Sequence, residues 1–372
     1  MSKVKLGDVA IEYKETCKGS KDGYPIVGLE HLVPEEVTLT AWDEGSDNTF
    51  TKMFRKGNVL FGRRRAYLKK AAVAPFDGIC SGDITVIEAI PDRILPELLP
   101  FIIQNDELFD FAVGKSAGSL SPRVKWEHLK NYEFELPDMG KQRELAELLW
   151  AMDATKKSYQ KLIAATDELV KSQFIEMFGN PMTNDKHWPT KKMKDVAPSS
   201  PYTGEIIQNT NGYWLLNLDM VESNSGRIIE KVYVAEDEIG QSTTTFSSKY
   251  VLYSKLRPYL NKVVVPDDDG YATTELIPLL PNQQLLTQLY LAQLLRGDEF
   301  LAYISSQVSG TKMPRVTMNV FWDFDVMLPP LYLQERYAAF VRQSDKSKFA
   351  VLSCSNLNLS ICSESLRTAQ TQ

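Results

Sequence analysis

The residues best suited to chemistry in this sequence form a run of cations. Between Thr51 and Lys70 the chain carries eight basic residues and no acidic one. Lysine and arginine neutralise phosphates, and the arginine fork also fits guanine edges. A solvated strand face is the simpler alternative. We predict a double-stranded DNA contact by Lys52, Arg55, Arg63, Arg64, Arg65, Tyr67, Lys69 and Lys70, in which Tyr67 stacks or bonds to the DNA backbone.

A second, less basic stretch carries related residues 192 positions later. It retains a lysine, an arginine, a tyrosine and a second lysine but loses much of the charge. Contacts shared by both stretches would position a domain on DNA without reading the base sequence. The predicted contacts of this second stretch are Lys255, Arg257, Tyr259 and Lys262.

Two polar loops, at residues 115–123 and 309–315, are candidates for entering a DNA groove. Each combines small hydroxyl side chains, a glycine that permits close backbone approach, and one or two cations. The alternative is an ordinary loop that joins a helix to a strand. The predicted contacts are Ser116, Ser119, Arg123, Ser309, Thr311, Lys312 and Arg315.

Catalytic and metal-binding patterns are absent from the sequence. The four cysteines and three histidines are scattered, with no spacing typical of a metal site. Neither an Asn-Pro-Pro-Tyr motif for adenine methylation nor a phosphate-binding loop for ATP occurs. Residues 266–270, Pro-Asp-Asp-Asp-Gly, suggest a nuclease centre, but Glu275 is followed by Leu and Ile instead of the expected lysine, so a turn is the better interpretation. We predict no catalytic residue, cofactor or metal in this chain.

Charge and hydropathy set further limits. The formal net charge of −6 counts against a simple cationic DNA-binding module, although an acidic chain can still carry a basic face. No run approaches the roughly 20 apolar residues of a membrane span, and the first residues lack the apolar core of a signal peptide. A cytoplasmic location without membrane association is the resulting expectation.

The sequence contains an internal repeat. Residues 59–142 align with residues 251–334 without a gap, at an offset of 192, and the alignment includes Pro122-Arg123-Val124 on Pro314-Arg315-Val316. Nearer the start the offset shrinks to 187, where Leu6-Gly7-Asp8-Val9-Ala10 matches residues 193–197. A near-constant offset over many matches indicates two copies of one unit.

Each copy combines a mixed α+β domain with a long helix. Short β-branched runs, such as residues 59–61 and 251–253, alternate with amphipathic helices near residues 95–111 and 285–304. Residues 141–178 and 331–372 lack Gly and Pro and carry near-heptad apolar positions, which predicts two long helices that pair in antiparallel fashion. The predicted segments are 1–138, first recognition domain; 139–180, spacer helix; 181–330, linker and second recognition domain; and 331–372, second spacer helix.

This organisation resembles the specificity subunit of type I restriction-modification systems. The most specific local match is residues 171–181, KSQFIEMFGNP, continued by NDKHWP at 184–189 and KKMKDV at 191–196. The spacing Gln142 to Ala146, repeated as Gln334 to Ala338, is also similar to that family. The resemblance covers the whole chain.

The resemblance implies a non-catalytic subunit that binds a bipartite, asymmetric DNA site. It also implies two methyltransferase subunits as partners and, optionally, motor-endonuclease subunits; S-adenosylmethionine, ATP and Mg²⁺ would be bound by those partners. Two rival interpretations stay open from the residues alone. One is a helical scaffold that organises proteins without touching DNA, and the other is an autonomous nuclease or methyltransferase, which the missing motifs disfavour.

Overall fold

The computed structural model describes residues 2–45, 49–118, 121–310 and 313–348. The chain divides into two compact units, and the division falls between Tyr159 and Gln160. Each unit combines helices with antiparallel and mixed sheets, which agrees with the predicted mixture of helix and strand. The predicted segment limits at residues 138, 180 and 330 stay predictions.

Unit 1 consists of short strands and helices. Its strands are β1 (Ser2–Lys5), β2 (Ala10–Glu12), β3 (Ile26–Val27), β4 (Lys52–Phe54), β5 (Val59–Gly62), β6 (Ala71–Val73), β7 (Gly78–Cys80), β8 (Ile84–Ala89) and β9 (Glu133–Leu136). Its helices are α1 (Leu6–Val9), α2 (Leu99–Ile103), α3 (Asp106–Gly114) and α4 (Trp126–Leu129), followed by the start of α5 (Met139–Phe178).

Two sheets organise unit 1. One has the order β2-β8-β5-β6 and is antiparallel throughout, and another has the order β3-β7-β4, with a parallel β3–β7 pair. Strand β5 is buried along its whole length, as its unbroken apolar run Val59-Leu60-Phe61 predicts. Phe61 stacks on Phe109 of α3 at 5.5 Å between ring centroids, so the central strand and the helix share one core.

Unit 2 continues from the second part of α5. Its strands are β10 (Thr190–Lys192), β11 (Tyr213–Leu216), β12 (Val232–Val234), β13 (Thr243–Phe246), β14 (Val251–Ser254), β15 (Val263–Val264), β16 (Gly270–Thr273), β17 (Leu276–Leu279), β18 (Val308–Ser309), β19 (Arg315–Val316) and β20 (Asp325–Met327). Its helices are α6 (Met193–Val196), α7 (Gln288–Arg296), α8 (Asp298–Ser305), α9 (Met318–Trp322) and α10, which includes residues 331–348. Four strands form a sheet in the order β12-β11-β16-β13, and three more form the order β15-β14-β17.

The long helix predicted from residue 141 to 178 is observed as the 40-residue α5. Its first turn is capped by the Asp138 carboxylate, which accepts from the backbone N–H groups of Gly140 and Lys141 at 3.0 and 3.1 Å. The carboxyl-terminal part packs in unit 2, where Phe174 and Phe178 are buried. The terminating Gly179 has a φ of 80°, which glycine adopts without strain.

Two helices predicted as continuous are each divided in the structure. The expected helix at residues 95–111 is interrupted at Asn105. The Asn105 side chain accepts a hydrogen bond from the Glu107 N–H at 3.0 Å and is the N-cap of α3. The expected helix at residues 285–304 is interrupted at Gly297, which ends α7 and precedes α8. Both errors have one cause, because apolar periodicity continues through a local cap that breaks the backbone hydrogen bonds.

Several hydrogen bonds of unit 1 recur in unit 2 at the predicted offset. The buried Gln142 accepts from the Leu95 N–H and donates to the Pro137 carbonyl, at 2.8 and 2.9 Å. Gln334 does the same with Thr287 and Pro329, at 2.8 Å each. Each glutamine thereby ties the first turn of a long helix to the domain before it.

In the part of the chain that the structure describes, no helix has the length and apolar character of a membrane span. Cys17 and Cys80 carry free thiols, and burial raises the pKa of Cys80 to about 12. Cys354 and Cys362, together with the predicted helix beyond residue 348, lie outside the described residues.

Candidate nucleic-acid interface

A strained turn presents Tyr67 to solvent in unit 1. The Tyr67 turn, residues 65–69, contains a short 3-10 helix (Ala66–Leu68). Arg65 and Lys69, which flank this helix, both have left-handed backbones, with φ of 53° and 51°. This conformation costs an L-residue about 1–2 kcal/mol, so the surrounding structure must impose it. The turn exposes 55% of Tyr67 and 41% of Leu68.

Backbone hydrogen bonds join the Tyr67 turn to the first polar loop. The Arg65 N–H donates to the Pro122 carbonyl at 2.8 Å, and the Val124 N–H donates to the Arg63 carbonyl at 2.9 Å. Within the loop, Ala117 and Arg123 exchange a pair of hydrogen bonds at 3.0 and 2.9 Å. The turn and the loop, which are more than 40 residues apart in sequence, therefore form one surface.

Unit 2 contains the same turn. Residues 257–261, the Tyr259 turn, are flanked by Arg257 and Asn261 with φ of 50° and 47°, and Tyr259 is 54% exposed. The Arg257 N–H donates to the Pro314 carbonyl at 2.7 Å, which reproduces the bond between Arg65 and Pro122 192 residues earlier. The second polar loop is thereby joined to its own turn.

Four of the predicted cations have side chains that make no hydrogen bond or ion pair with another described residue: Arg63, Arg65, Lys255 and Arg257. Arg65 and Arg257 are exposed, and each lies two residues before an exposed tyrosine. A guanidinium group and a phenol hydroxyl side by side can bond to neighbouring phosphate oxygens. These residues are the best-placed members of the predicted contact set.

Other predicted cations are occupied by partners inside the protein. Lys52 donates to the Ile84 carbonyl at 2.9 Å, and Arg55 pairs with Glu15 and Asp77 at 2.7 and 3.0 Å. The Tyr13 hydroxyl and these carboxylates raise the pKa of Arg55 above its ordinary value. The sequence run contains no acid, but the fold supplies acids from elsewhere, which weakens the case for direct DNA contact by Lys52 and Arg55.

Three lysines beside the turns support the local backbone or pair with an acid. Lys70 donates to the Leu29 carbonyl and Lys262 to the Leu218 carbonyl, both at 2.7 Å. Lys69 pairs with the exposed Asp106 at 2.5 Å. Lys70 and Lys262 therefore have the same role in both units, but their ammonium groups are bound inside the protein, which weakens the case for their direct contact with DNA.

The two remaining arginines of the first run lie beside the loop. Arg64 donates to the Ser121 hydroxyl and lies 3.6 Å from Asp83. The Nε of Arg63 is buried without a hydrogen-bond partner.

The loop residues themselves differ in what they can offer to a ligand. The Ser116 hydroxyl donates to the Ala112 carbonyl at 2.8 Å, whereas Ser309 is exposed in β18. Arg123 and Arg315 each pair with a carboxylate that the sequence prediction did not include, Asp83 and Glu275.

Three predicted contacts, Ser119, Thr311 and Lys312, lie outside the described residues. The described loop ends contain Gly118 and Gly310 with φ of 115° and 90°, a backbone that favours glycine. Within the described ranges, no three His, Cys, Asp or Glu side chains gather into a set that could hold a metal ion.

Comparison with known proteins confirms the predicted resemblance. Residues 1–165 match the family model described as the type I restriction modification DNA specificity domain. The type I restriction enzyme EcoDI specificity subunit of Escherichia coli is 27% identical over 123 residues, which are 33% of this chain. That match spans only 27% of the relative's length.

Alignments with two solved structures extend over nearly the whole chain. The type I restriction-modification S subunit from M. genitalium is 12% identical with a TM-score of 0.53, and the alignment covers 98% of this chain and 94% of that one. The HsdS subunit from Thermoanaerobacter tengcongensis is 20% identical with a TM-score of 0.40, covering 98% of this chain and 95% of that one.

Proposed function

We propose, from the match of residues 1–165 to the type I restriction modification DNA specificity domain, that this chain recognises double-stranded DNA without performing catalysis. The observation that carries the proposal is the recurrence of one strained turn, with an exposed tyrosine after a left-handed arginine, in both units. A protein retains such strain where the turn has a task that a relaxed loop would not perform.

The two turns fit contacts to the DNA backbone. Arg65 and Arg257 supply charge-assisted donors without an internal competitor among the described residues, and Tyr67 and Tyr259 supply a hydroxyl beside them. Contacts that are the same in both units carry no sequence information, so they would set the register of each unit on the duplex. The loops joined to the turns differ between units and would read bases.

Differences between the two surfaces support two unlike half-sites. The second surface carries less positive charge than the first. Arg63 corresponds to Lys255, whereas Arg64 and Lys69 correspond to the uncharged Leu256 and Asn261. Two identical surfaces would favour a palindrome. We propose an asymmetric, interrupted site in which each unit reads one half, with the half-sites about one DNA turn, roughly 34 Å, apart.

The helix α5 supports a role in spacing and partner docking. Its exposed leucines, Leu148, Leu162 and Leu169, are separated by multiples of seven residues and lie on one helical stripe. We propose that two methyltransferase subunits and, optionally, motor-endonuclease subunits assemble with the chain, and that those partners bind S-adenosylmethionine, ATP and Mg²⁺. A protein scaffold that does not bind DNA would use the same stripe. A measurement of DNA binding therefore distinguishes the scaffold from the proposed specificity subunit.

Titration of labelled duplex DNA over a range of salt concentrations tests the proposal. The full chain, with and without a methyltransferase subunit, is expected to bind with an affinity that falls as salt rises, because phosphate contacts release counterions. Absence of salt-dependent binding in both cases would contradict DNA recognition and leave the scaffold.

The variant Arg65→Ala tests the turn itself. Loss of one phosphate contact is expected to weaken binding about tenfold and to reduce the slope of log Kd against log salt by about one. The exposed Arg93, outside the proposed interface, provides a control of equal charge change. If Arg93→Ala and Arg65→Ala lowered affinity and slope equally, the effect would be one of net charge and not of the Tyr67 turn.

A further inference from the structure

We propose that Asp83 with Arg123, and Glu275 with Arg315, are clamps that hold the two reading loops in shape, so that these arginines position the loops instead of contacting DNA. The inference deepens the proposed function and rests on it for the claim that the loops read bases. It also revises the sequence prediction, which assigned Arg123 and Arg315 to the DNA surface. We call each pair an arginine clamp.

The arginine clamp of unit 1, Asp83 with Arg123, is bidentate. Arg123 Nε and one terminal nitrogen donate to the two carboxylate oxygens of Asp83, at 2.7 and 3.2 Å. Arg64 lies 3.6 Å from the same carboxylate and also donates to Ser121 in the loop. The Arg63 N–H donates to the Asp83 carbonyl at 3.0 Å, so the acid is itself fixed to the chain that leads into the Tyr67 turn.

The arginine clamp of unit 2, Glu275 with Arg315, has the same arrangement. Arg315 donates to the two carboxylate oxygens of Glu275, at 2.9 and 3.4 Å. The Lys255 N–H donates to the Glu275 carbonyl at 3.1 Å, which corresponds to the bond between Arg63 and Asp83. Asp83 and Glu275 are 192 residues apart and differ in length by one methylene, so the plan is retained although the acid differs.

The electrostatics of both pairs favour positioning over phosphate binding. The hydrogen bond from Arg123 holds the pKa of Asp83 below its ordinary value, and Arg315 does the same for Glu275. Each loop arginine is therefore bound to an ionised carboxylate at neutral pH, so an approaching phosphate would gain less from it than from an arginine without such a partner. By contrast, Arg65 and Arg257 have no such partner among the described residues.

The clamps lie where they can fix loop shape. Arg123 closes the loop through its backbone pair with Ala117, and Arg315 pairs with Ser309 between β19 and β18. Holding the described ends of each loop in one conformation lowers the conformational entropy that the loop loses when it binds a specific duplex.

The test uses Asp83→Asn and Arg123→Gln in the full chain. Both are expected to lower the ratio of cognate to random-duplex affinity about tenfold while leaving the salt slope unchanged. A direct phosphate contact by Arg123 predicts the opposite pattern. In that case Arg123→Gln would lower the slope by about one, and Asp83→Asn would strengthen binding to every duplex by removing a negative charge.

A measurement without DNA separates the clamp from the proposed function. Amide hydrogen exchange at positions 117 and 123 is expected to be slow in the wild-type chain and at least about tenfold faster in both variants, because the backbone hydrogen bonds between these two positions would open more often. Unchanged exchange in Asp83→Asn would overturn the clamp. If the wild-type protein bound no duplex but amide exchange was faster in both variants, DNA recognition would be contradicted and the clamp would be supported.

Discussion

Inserting one heptad after Lys161 in α5 is expected to weaken binding to the native duplex at least about 100-fold and to shift the preferred site to one whose halves are about three base pairs further apart. Seven residues add roughly 10 Å of helix and nearly two full turns, so the helix faces keep their orientation. No α5 side chain between residues 154 and 169 is buried, so the insertion interrupts no core. Selection of duplexes with variable gaps measures the effect.

A variant of unchanged length is the control for the heptad insertion. Replacing residues 155–161 by the inserted sequence should leave both the half-sites and the gap as they are in the wild type. Altered half-sites in the lengthened chain, or an unchanged gap, would contradict the role of α5 as a spacer.

Replacing Tyr337 by alanine is expected to lower the free energy of unfolding of unit 2 by about 3–5 kcal/mol. The side chain is fully buried in α10, and its hydroxyl donates to the Val170 carbonyl of α5 at 3.1 Å. Its ring packs edge-on against Phe174 and Phe178, at 5.6 and 5.4 Å between centroids. Alanine would leave a cavity between α5 and α10, and urea denaturation measures the loss.

Two matched variants divide the contribution of Tyr337 into parts. Tyr337→Phe removes only the hydroxyl and should cost about 1 kcal/mol. Tyr332→Ala, on the same helix but 61% exposed, should change stability by less than about 0.5 kcal/mol. Equal losses in Tyr332→Ala and Tyr337→Ala would show that helix propensity, and not the buried ring, sets the stability.

Much of the fold follows from local sequence. The apolar runs at residues 59–61 and 251–253 predict β5 and β14, and the absence of Gly and Pro from 141 to 178 predicts α5 almost to its ends. The same logic fails at Asn105 and Gly297, because one capping residue outweighs a continuing apolar pattern. Local signals therefore identify the elements better than their interruptions.

The candidate site was only partly predictable because pairing is a tertiary property. No acidic residue lies within residues 51–70, so the sequence suggests that these cations are unpaired. In the structure, Arg55 pairs with Glu15 and Asp77, which are 40 and 22 residues away in sequence. The left-handed backbone of Arg65 had no sequence signal, since arginine is not a residue that favours it. Asp83 and Glu275 could have been found, because both copies place an acid 40 residues before the loop arginine.

Selection from a random duplex library by the full chain together with a methyltransferase subunit tests DNA recognition most directly. We predict enrichment of two unlike half-sites separated by a fixed gap, with Arg65→Ala lowering affinity for all selected duplexes alike and Asp83→Asn relaxing only the half-site read by unit 1. Enrichment of a palindrome, or of no sequence at all, would contradict the assignment of two different reading surfaces to this chain.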